Sequence, residues 1–444
     1  MFWFKIYIIF NNLLSYFAHQ IQIMAYLKIN SLQINAFRGI KQLDLAFSNQ
    51  STVLVGINGV GKTAILDCLA ILLSHLINQM REIEGISYKN LDIYQGVSET
   101  HNQITVSIEG HKTSWMCLSR QKGQSLSSLI EPRELLDSMV EKVYSTLAEN
   151  PLASIPLVVY YPVNRAVFDV DISLNITKKP DFHQLTALDL AFSNQNVDFQ
   201  AFFEWFRNRE DIENEQIRNE ISYRDRQLEA VRQAIQSLMP SYTDLRVRRL
   251  PLRMTLSKQE QELVINQLSE GEKCLLALTG DLVRRLAIAN PALSNPLEGS
   301  AIVLIDEIDL HLHPQWQRAV IPRLEKTFPH CQFIVSTHSP QVISEIGPQN
   351  LIYFLRKTEE GLVAEEAKNA YGKDTNFILE VFMETDERPE NIKADIEALS
   401  ELIDANQLNE AQTLLQQLRH KIGDDEPALV GAEVLIRRKQ VIKR

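Results

Sequence analysis

The sequence predicts an α/β fold in which helices cover a mostly parallel sheet. Three observations predict it. Short apolar runs, typical of strands buried on both faces, alternate with helical segments between residues 50 and 356. One of these runs leads through a glycine-rich turn into an amphipathic helix. Beyond Arg388 the pattern is helical only, so we expect an all-α tail.

The elements follow one another in a regular order from Met24. Alternating apolar and polar residues predict two antiparallel strands around a turn at Arg38-Gly39, followed by a buried strand and a helix. A second β pair, a helix, an apolar strand and a long helical stretch come next. An arginine-rich strand then precedes two helix–strand pairs. The predicted strands cover 26–35, 41–48, 51–56, 103–110, 114–120, 157–162, 244–256, 301–305 and 332–336, and the predicted helices cover 65–80, 131–149, 199–239, 268–290 and 314–327.

Composition excludes several classes of protein. The chain has 444 residues, of which 45% are hydrophobic and 23% charged, as in ordinary globular proteins of two to three domains. The net charge of −11 argues against a surface covered with nucleic-acid-binding charge, although a local basic groove remains compatible with it. The four cysteines form no CxxC pair, which indicates buried thiols in a reducing cytoplasm. We therefore expect a cytoplasmic protein without a membrane partner.

The first 23 residues form an apolar segment in which Lys5 is the only formal charge. They lack a small-residue cleavage site, and the Asn11-Asn12 break leaves too short a run to span a bilayer. We expect Met24 to be the natural start and residues 1–23 to be a non-native extension. An amphipathic interaction segment and a membrane signal are the alternatives.

The strongest functional signal is the glycine-rich turn GINGVGKT at 56–63, which matches G-x-x-x-x-G-K-[ST] between a strand and a helix. Its glycines let backbone N–H groups face phosphate oxygens, and the helix N-terminus adds a favourable dipole. We expect Lys62 to reach the β and γ phosphates of a nucleotide and Thr63 to contact Mg²⁺. The expected nucleotide-binding residues here are Gly56, Asn58, Gly59, Val60, Gly61, Lys62, Thr63 and Ala64.

Two adjacent carboxylates follow the buried strand AIVLI at 301–305. Ligands of parallel sheets bind at the carboxyl ends of the strands, where Asp306 and Glu307 lie. We expect Asp306 to hold Mg²⁺ and Glu307 to polarise the attacking water as a general base. Asp306 comes 243 positions after Thr63, so a substantial insertion separates the two motifs.

The segment LSEGEK at 268–273 precedes a strong helix. Ser269 and Glu272 form a capping box, S-x-x-E, and Gly271 lets the backbone approach another group closely. LSEGEK also resembles the LSGGQ signature of ATP-binding-cassette ATPases, with Glu270 and Glu272 as departures that are common in their DNA-repair branch. This resemblance implies that Ser269, Gly271 and Glu272 meet the γ-phosphate of a nucleotide held by a second subunit.

Further segments resemble motifs of the same superfamily. His338 in FIVSTHSP is similar to its switch histidine, and EIDLHLHP is similar to the D-loop that crosses the dimer interface, with Asp309 as the expected contact. Gln95 in LDIYQG is our candidate for the Q-loop ligand of Mg²⁺, and Arg38 in AFRGI resembles an arginine near the nucleotide in RecF-like members. His311 and His313 have no third ligand in the sequence, so we reject a metal site there.

Together these motifs resemble the cassette-type ATPases of the RecF/SMC-like and OLD-like branch. YYPVNRAV, FFEWFRNREDIENE, YRDRQLEAV, LRVRRLPLRM and ERPENIKADIEAL are similar to the PtuA-like subfamily of Septu and retron-associated antiviral defence systems, over roughly residues 24–444. The resemblance implies a P-loop ATPase fold with a helical insertion lobe. We expect half-domains at 24–130 and 261–385, a mainly helical insertion at 131–260 and a helical tail at 386–444.

The resemblance also implies cofactors and partners. ATP and Mg²⁺ would lie in a head-to-tail homodimer, with higher oligomers open. The chain would be the sensor or regulator of a separate effector such as an HNH nuclease, with DNA or a retron reverse transcriptase and its msDNA as further candidate partners. Two other functions stay open: a DNA-repair ATPase that grips DNA through RVRRLPLR and the terminal RRKQVIKR, and an interaction scaffold with little turnover.

Overall fold

The computed structural model describes residues 26–108, 110–122, 125–163, 183–192, 199–367, 370–383, 385–386 and 388–442. The chain divides into two compact units, Met1–Lys373 and Asp374–Arg444. The predicted N-terminal extension, residues 1–23, lies outside the described residues. The predicted domain boundaries stay predictions.

The first unit is built around a six-stranded sheet with the strand order β14-β13-β3-β12-β11-β7. Every neighbouring pair is parallel except β13–β14. The strands β3, β7, β11 and β12 are buried along their whole length, which explains their mainly apolar sequences. The strands are β3 (Ser51–Val55), β7 (Val158–Tyr161), β11 (Ala301–Ile305), β12 (Cys331–Thr337), β13 (Leu351–Thr358) and β14 (Gly361–Glu366). The predicted α/β class is confirmed.

A second, antiparallel sheet has the order β2-β1-β4-β5-β6. Its strands are β1 (Leu27–Phe37), β2 (Ile40–Ala46), β4 (Glu99–Ile108), β5 (His111–Lys122) and β6 (Ser125–Glu131). The turn between β1 and β2 lies at Arg38-Gly39, as predicted. Strand β6 was not predicted, because its serine-rich sequence is typical of a loop and only its pairing with β5 makes it a strand.

A third sheet corrects the prediction of one arginine-rich strand over 244–256. The segment forms the hairpin of β8 (Tyr242–Arg249) and β9 (Leu252–Lys258), and β10 (Gln261–Val264) extends it. Pro251 lies in the turn, where its missing N–H costs no ladder bond. Arg253 therefore lies opposite Arg248, and the two side chains share one face of the hairpin.

Helices cover the sheets of the first unit. The predicted helix over 199–239 is two helices, because Asp225 caps a second one by accepting from the N–H groups of Gln227 and Leu228. The ring of Phe202 packs against Gly280, where a Cβ atom would lie 2.7 Å from it. The helices are α1 (Lys62–Gln79), α2 (Arg133–Glu149), α3 (Phe199–Ile217), α4 (Arg226–Leu238), α5 (Glu270–Ala289), α6 (Pro314–Thr327) and α7 (Pro340–Ile343).

The second unit contains three longer helices after short helical turns at 375–382: α8 (Glu390–Asp404), α9 (Leu408–Ile422) and α10 (Pro427–Ile442). They enclose a core of their own, formed by Leu399, Ile403, Ala411, Leu415, Leu418, Leu429, Ala432 and Ile436. Across the described part of both units, no helix is long and apolar enough to cross a membrane. Cys68, Cys117, Cys274 and Cys331 are all buried free thiols.

Candidate nucleotide-binding site

The phosphate loop joins the carboxyl end of β3 to α1, at the centre of the parallel sheet. Gly59 and Gly61 have φ angles of 75° and 130°, which L side chains rarely adopt, so glycine is required for this turn. No side chain caps the start of α1, and its first turn holds no acidic residue. The N-terminus of α1 is therefore suited to an anion supplied from outside the helix.

Lys62 lies inside the loop with only 5% of its surface exposed. Its Nζ donates to the carbonyl oxygens of Gly56 at 2.7 Å and Ile57 at 3.2 Å. Burial lowers the pKa of Lys62, whereas the charges of Glu307 and Asp306 oppose that change. The Lys62 amine therefore lies where a phosphate group could replace the two neutral carbonyl oxygens as its hydrogen-bond acceptor.

Asp306 is fully buried at the end of β11. Its Oδ2 accepts from Thr63 Oγ1 at 2.7 Å, and its Oδ1 accepts from the hydroxyl of Ser336. The same Ser336 oxygen accepts from the N–H of Glu307 at 2.7 Å. Thr63 and Asp306, which we expect from the sequence to bind Mg²⁺, are 243 positions apart in the chain but in direct contact in the structure.

Ser336 was missed by the sequence reasoning, although it lies in the quoted segment FIVSTHSP. Ile305 pairs with Val335 in the parallel register of β11 and β12, so the next residues, Asp306 and Ser336, are neighbours. The signal was available, because two adjacent buried parallel strands that end in polar residues bring those residues to one sheet edge.

The donor atoms at this edge suit Mg²⁺ bound with a nucleotide. Thr63 and Asp306 offer oxygen atoms only, which Mg²⁺ prefers, and phosphate and water oxygens commonly complete its coordination. Within the described residues, no group of three or more His, Cys, Asp or Glu could hold a metal ion by itself. Gln95 lies on an exposed turn after Ile93, and its ligation of Mg²⁺ stays a prediction.

Asp309 and His338 form a contact within one chain. Asp309 is 4% exposed; its Oδ1 accepts from Thr337 Oγ1 at 2.5 Å, and its Oδ2 lies 3.4 Å from His338 Nε2. The sequence predicted that Asp309 contacts a facing chain. In this structure its carboxylate is directed at the candidate switch histidine, whose side chain is 45% exposed, and the contact with a facing chain stays a prediction.

The segment LSEGEK contacts the loop that follows Glu307. Ser269 caps α5, and the predicted capping box with Glu272 is present: Glu272 Oε2 accepts from the Ser269 N–H at 2.8 Å. The other oxygen of Glu272 accepts from the Tyr242 hydroxyl and from Lys258 Nζ at 3.2 Å. A Cβ atom on Gly271 would lie 2.2 Å from the carbonyl oxygen of His311, which explains the glycine.

The two histidines of EIDLHLHP have roles other than metal binding. His313 caps α6 by accepting from the N–H of Gln315 at 3.3 Å. His311 Nδ1 lies 3.6 Å from the carboxylate of Glu270, in the first turn of α5. Both histidines thus connect the loop after Glu307 to a helix: His313 to α6 and His311 to α5.

Arg38 lies in the β1–β2 turn with a φ of 49°. Its guanidinium donates to Asp67 on α1 and to Asp92 at 2.8 Å, and these two partners raise its pKa against the effect of burial. Arg38 therefore contacts the helix that follows the phosphate loop, while a direct contact with the nucleotide stays a prediction.

The arginines of the β8–β9 hairpin have carboxylate partners of their own. Arg246 pairs with Asp244, Arg248 with Glu262, and Arg253 lies 3.9 Å from Glu262. Arg249 pairs with Glu210 at 3.1 Å and with Asp211. This pairing fits an internally neutralised surface better than a strand that grips DNA.

Two protein-family models match parts of the chain that contain these residues. Residues 118–344 match the family described as "AAA domain, putative AbiEii toxin, Type IV TA system". Residues 27–136, which include the phosphate loop, match a second family described as "Protein of unknown function (DUF2813)".

Curated relatives match over most of the chain. The chain is 29% identical to the "Retron Ec83 probable ATPase" of Escherichia coli, over 93% of this chain and 87% of the relative. It is 30% identical to the "Retron Vc95 probable ATPase" of Vibrio cholerae serotype O1 biovar El Tor, over 82% and 80%. It is 23% identical to the "Septu protein PtuA" of Bacillus thuringiensis, over 73% and 75%. These matches confirm the resemblance that the motifs indicated.

Proposed function

We propose, from the premise that the chain belongs to the AAA domain family whose model matches residues 118–344, that it is an ATPase that binds and hydrolyses ATP with Mg²⁺. One observation carries this proposal. The buried carboxylate of Asp306 accepts from Thr63 Oγ1 at 2.7 Å, beside the loop in which Lys62 lies. A cation for phosphate, an oxygen site for Mg²⁺ and a second carboxylate are thereby placed at one sheet edge.

The residues of this edge divide the chemistry among them. Lys62 and the loop N–H groups bind the β and γ phosphates and offset their charge. Thr63 and Asp306 would hold Mg²⁺, which supplies further charge neutralisation on the same phosphates. The Ser336 hydroxyl accepts from the backbone N–H of Glu307. The Glu307 side chain orients the attacking water and accepts its proton. His338, whose Nε2 lies 3.4 Å from Asp309 Oδ2, would contact the γ-phosphate that the water attacks.

We propose that the site is completed by a second copy of the chain. Ser269, Gly271 and Glu272 lie at the N-terminus of α5, where Ser269 and Glu272 already form a cap within the chain, so the support for this proposal is the resemblance of LSEGEK to the signature motif. A head-to-tail homodimer would bring this terminus to the nucleotide held by the facing chain. Hydrolysis would then open the assembly, because the γ-phosphate is the group that both chains contact.

The relatives' names support a role in antiviral defence. They are named as a retron ATPase and as a Septu protein, and we propose that this chain is the corresponding sensor or regulator. It would control a separate effector, such as an HNH nuclease, in the cytoplasm, and a retron reverse transcriptase with its msDNA is a second candidate partner. ATP hydrolysis would set how long the effector is restrained or released.

The substitution Glu307→Gln tests the composite site. It keeps the side-chain size but removes the base, so we expect turnover to fall on the order of 10²–10⁴-fold while nucleotide binding persists. Light scattering with Mg-ATP should show stronger assembly than for the unmodified chain. Glu99→Gln, at a surface ion pair with Arg120, is the matched control and should change neither property.

Adding Ser269→Arg to Glu307→Gln should abolish the nucleotide-dependent assembly, because bulk would occupy the place where the γ-phosphate docks. Normal hydrolysis by Glu307→Gln would contradict the assigned base. Unchanged assembly of the double variant would contradict the contribution of the second chain.

A further inference from the structure

Two adjacent tyrosines end the edge strand β7 beside the candidate site. Tyr160 and Tyr161 are 4% and 2% exposed, and they pair in register with Leu304 and Ile305 of β11. Successive side chains of a strand point to opposite faces of a sheet. The two hydroxyl groups therefore reach the helices on different sides of the sheet.

Tyr160 contacts the helix that begins at the phosphate loop. Its hydroxyl donates to Asp67 Oδ1 at 2.8 Å, and Asp67 also accepts from Arg38. Asp67 lies four residues after Thr63 on α1, which places both on one face of the helix. Burial and the charge of Asp67 raise the pKa of Tyr160, so its hydroxyl keeps the proton that it donates.

Tyr161 contacts the helix that begins at LSEGEK. Its hydroxyl donates to Asp281 Oδ2 at 2.9 Å, on α5. Burial disfavours the charged form of Asp281, but Arg285 and Arg284 outweigh burial and lower its pKa to about 2. Asp281 is therefore a charged acceptor, held by guanidinium nitrogens at 2.7 and 2.8 Å.

The backbone of Tyr161 adds a third connection. Its carbonyl oxygen accepts from the N–H of Asp306 at 2.9 Å. Tyr161 therefore bonds the backbone N–H of Asp306 through its main chain and Asp281 on α5 through its side chain. Tyr160, the preceding residue, bonds Asp67 of α1 on the other face of the sheet.

We propose that Tyr160 and Tyr161 are positioning residues that couple the phosphate loop, through α1, to the middle of α5, the helix that begins at LSEGEK, within one chain. This inference rests on the proposed function, since it assigns a role in the same nucleotide site. Nucleotide bound at the loop displaces α1 and Asp306, and the tyrosine pair transmits that displacement to α5. Each chain thereby presents Ser269 to its partner only when its own loop is filled.

Phenylalanine substitutions test the pair, because they remove each hydroxyl and keep the ring. Tyr160→Phe should weaken binding of a fluorescent ATP analogue about threefold to tenfold, the range of one net hydrogen bond, with turnover at saturating ATP retained. Tyr161→Phe should keep that affinity and lower turnover by up to about tenfold, the largest effect of one net hydrogen bond, because it removes the hydroxyl that holds Asp281 on α5. Hydrogen exchange should also show nucleotide-dependent protection at 270–281 in the unmodified chain but not in Tyr161→Phe.

Tyr353→Phe is the matched control, because it too removes a buried tyrosine hydroxyl, one that donates to the Ala46 carbonyl oxygen at 3.1 Å. It should leave affinity, turnover and exchange unchanged. If Tyr160→Phe and Tyr161→Phe behave like Tyr353→Phe, or like each other, the coupling is overturned. The proposed function is judged separately by Glu307→Gln, so the two failures are distinguishable.

Discussion

The Ser336 hydroxyl accepts a hydrogen bond from a backbone N–H and donates one to a buried carboxylate, so Ser336 orients both acidic residues of the site. Its hydroxyl donates to Asp306, and it accepts from the Glu307 N–H at 2.7 Å. Glu307 needs this support, since its φ of 46° is unfavourable for a residue with a side chain. A small hydroxyl-bearing residue at the end of β12 is therefore part of the geometry of the proposed catalytic site.

Ser336→Ala should lower ATP turnover on the order of 10–100-fold, because the two carboxylates lose a shared partner. Affinity for a fluorescent ATP analogue should change far less, since Lys62 and the loop are untouched. Ser344→Ala is the control: Ser344 is 3% exposed and donates to the Gln341 carbonyl, outside the site. Equal turnover of the two variants would contradict this role of Ser336.

At the residue scale, most of the site could be predicted from sequence. The phosphate loop and Asp306-Glu307 are local patterns with a direct chemical meaning, so their spacing along the chain was sufficient. Ser336 was overlooked although the polar ends of β11 and β12 indicated it, whereas the Asp309–His338 contact was not predictable, because it depends on a loop that bends back within one chain. A single residue type at one position carries no information about such contacts.

At the scale of elements, the start of α5 packs closely against the loop that follows Glu307. Gly271→Ala would place its Cβ 2.2 Å from the His311 carbonyl oxygen, so the helix and the loop must separate. We expect a loss of about 1–3 kcal/mol in the free energy of unfolding and a fall in ATP turnover. Thermal unfolding and a steady-state ATPase assay measure the two effects.

Gly431→Ala is the matched control for Gly271→Ala. Gly431 lies in α10, and a Cβ atom there would meet nothing within 4 Å. Alanine should therefore be neutral or stabilise the helix by about 0.5–1 kcal/mol. A Gly271→Ala chain as stable and active as Gly431→Ala would show that the close approach has no consequence.

Helix α1 contains a histidine that should make stability depend on pH. Burial lowers the pKa of His75 to about 4, below its ordinary value of 6.5. The unfolded chain therefore binds more protons between pH 6.5 and pH 4, and stability falls as pH is lowered through that window. Between pH 7 and pH 5 the expected loss from this group is about 2 kcal/mol.

His75→Gln should flatten this dependence, because glutamine has no proton to gain. The thermal midpoint at pH 7 and pH 5 is the measurement for each variant. His111→Gln, at an exposed position, should keep the pH dependence of the unmodified chain. A His75→Gln chain with an unchanged difference between the two midpoints would contradict the prediction.

Element type was predictable where burial left a clear pattern in the sequence, but not at every buried strand, since β13 was also missed. β11 and α6 have the predicted bounds, because a strand buried on both faces and an amphipathic helix have distinct patterns. Strand β6 and the β8–β9 hairpin were not recovered. A serine-rich edge strand and an arginine-rich hairpin have their stabilising partners in other segments, namely β5 for the first and Glu210, Asp211 and Glu262 for the second.

On the scale of the whole molecule, the division into two units predicts that damage to one core stays local. Leu418→Ala opens a cavity among α8, α9 and α10, where Leu418 is fully buried. We expect the helices of the second unit to lose about 2–5 kcal/mol of protection against hydrogen exchange. The parallel sheet and the affinity for an ATP analogue should be unaffected. Leu435→Ala, at a position 49% exposed, is the control that should leave both units intact.

The order of strands in the parallel sheet has a consequence during synthesis of the chain. The phosphate-loop strand β3 ends at residue 55, yet both of its neighbours, β12 and β13, come from residues 331–358. At about 5–20 residues per second, a ribosome takes roughly 15–60 s to make the intervening chain. During that interval β3 has neither of its neighbours in the parallel sheet, although α1 can already pack against β1 and β4. The strand that leads into the phosphate loop is therefore paired on both sides only after residues 331–358 have been made.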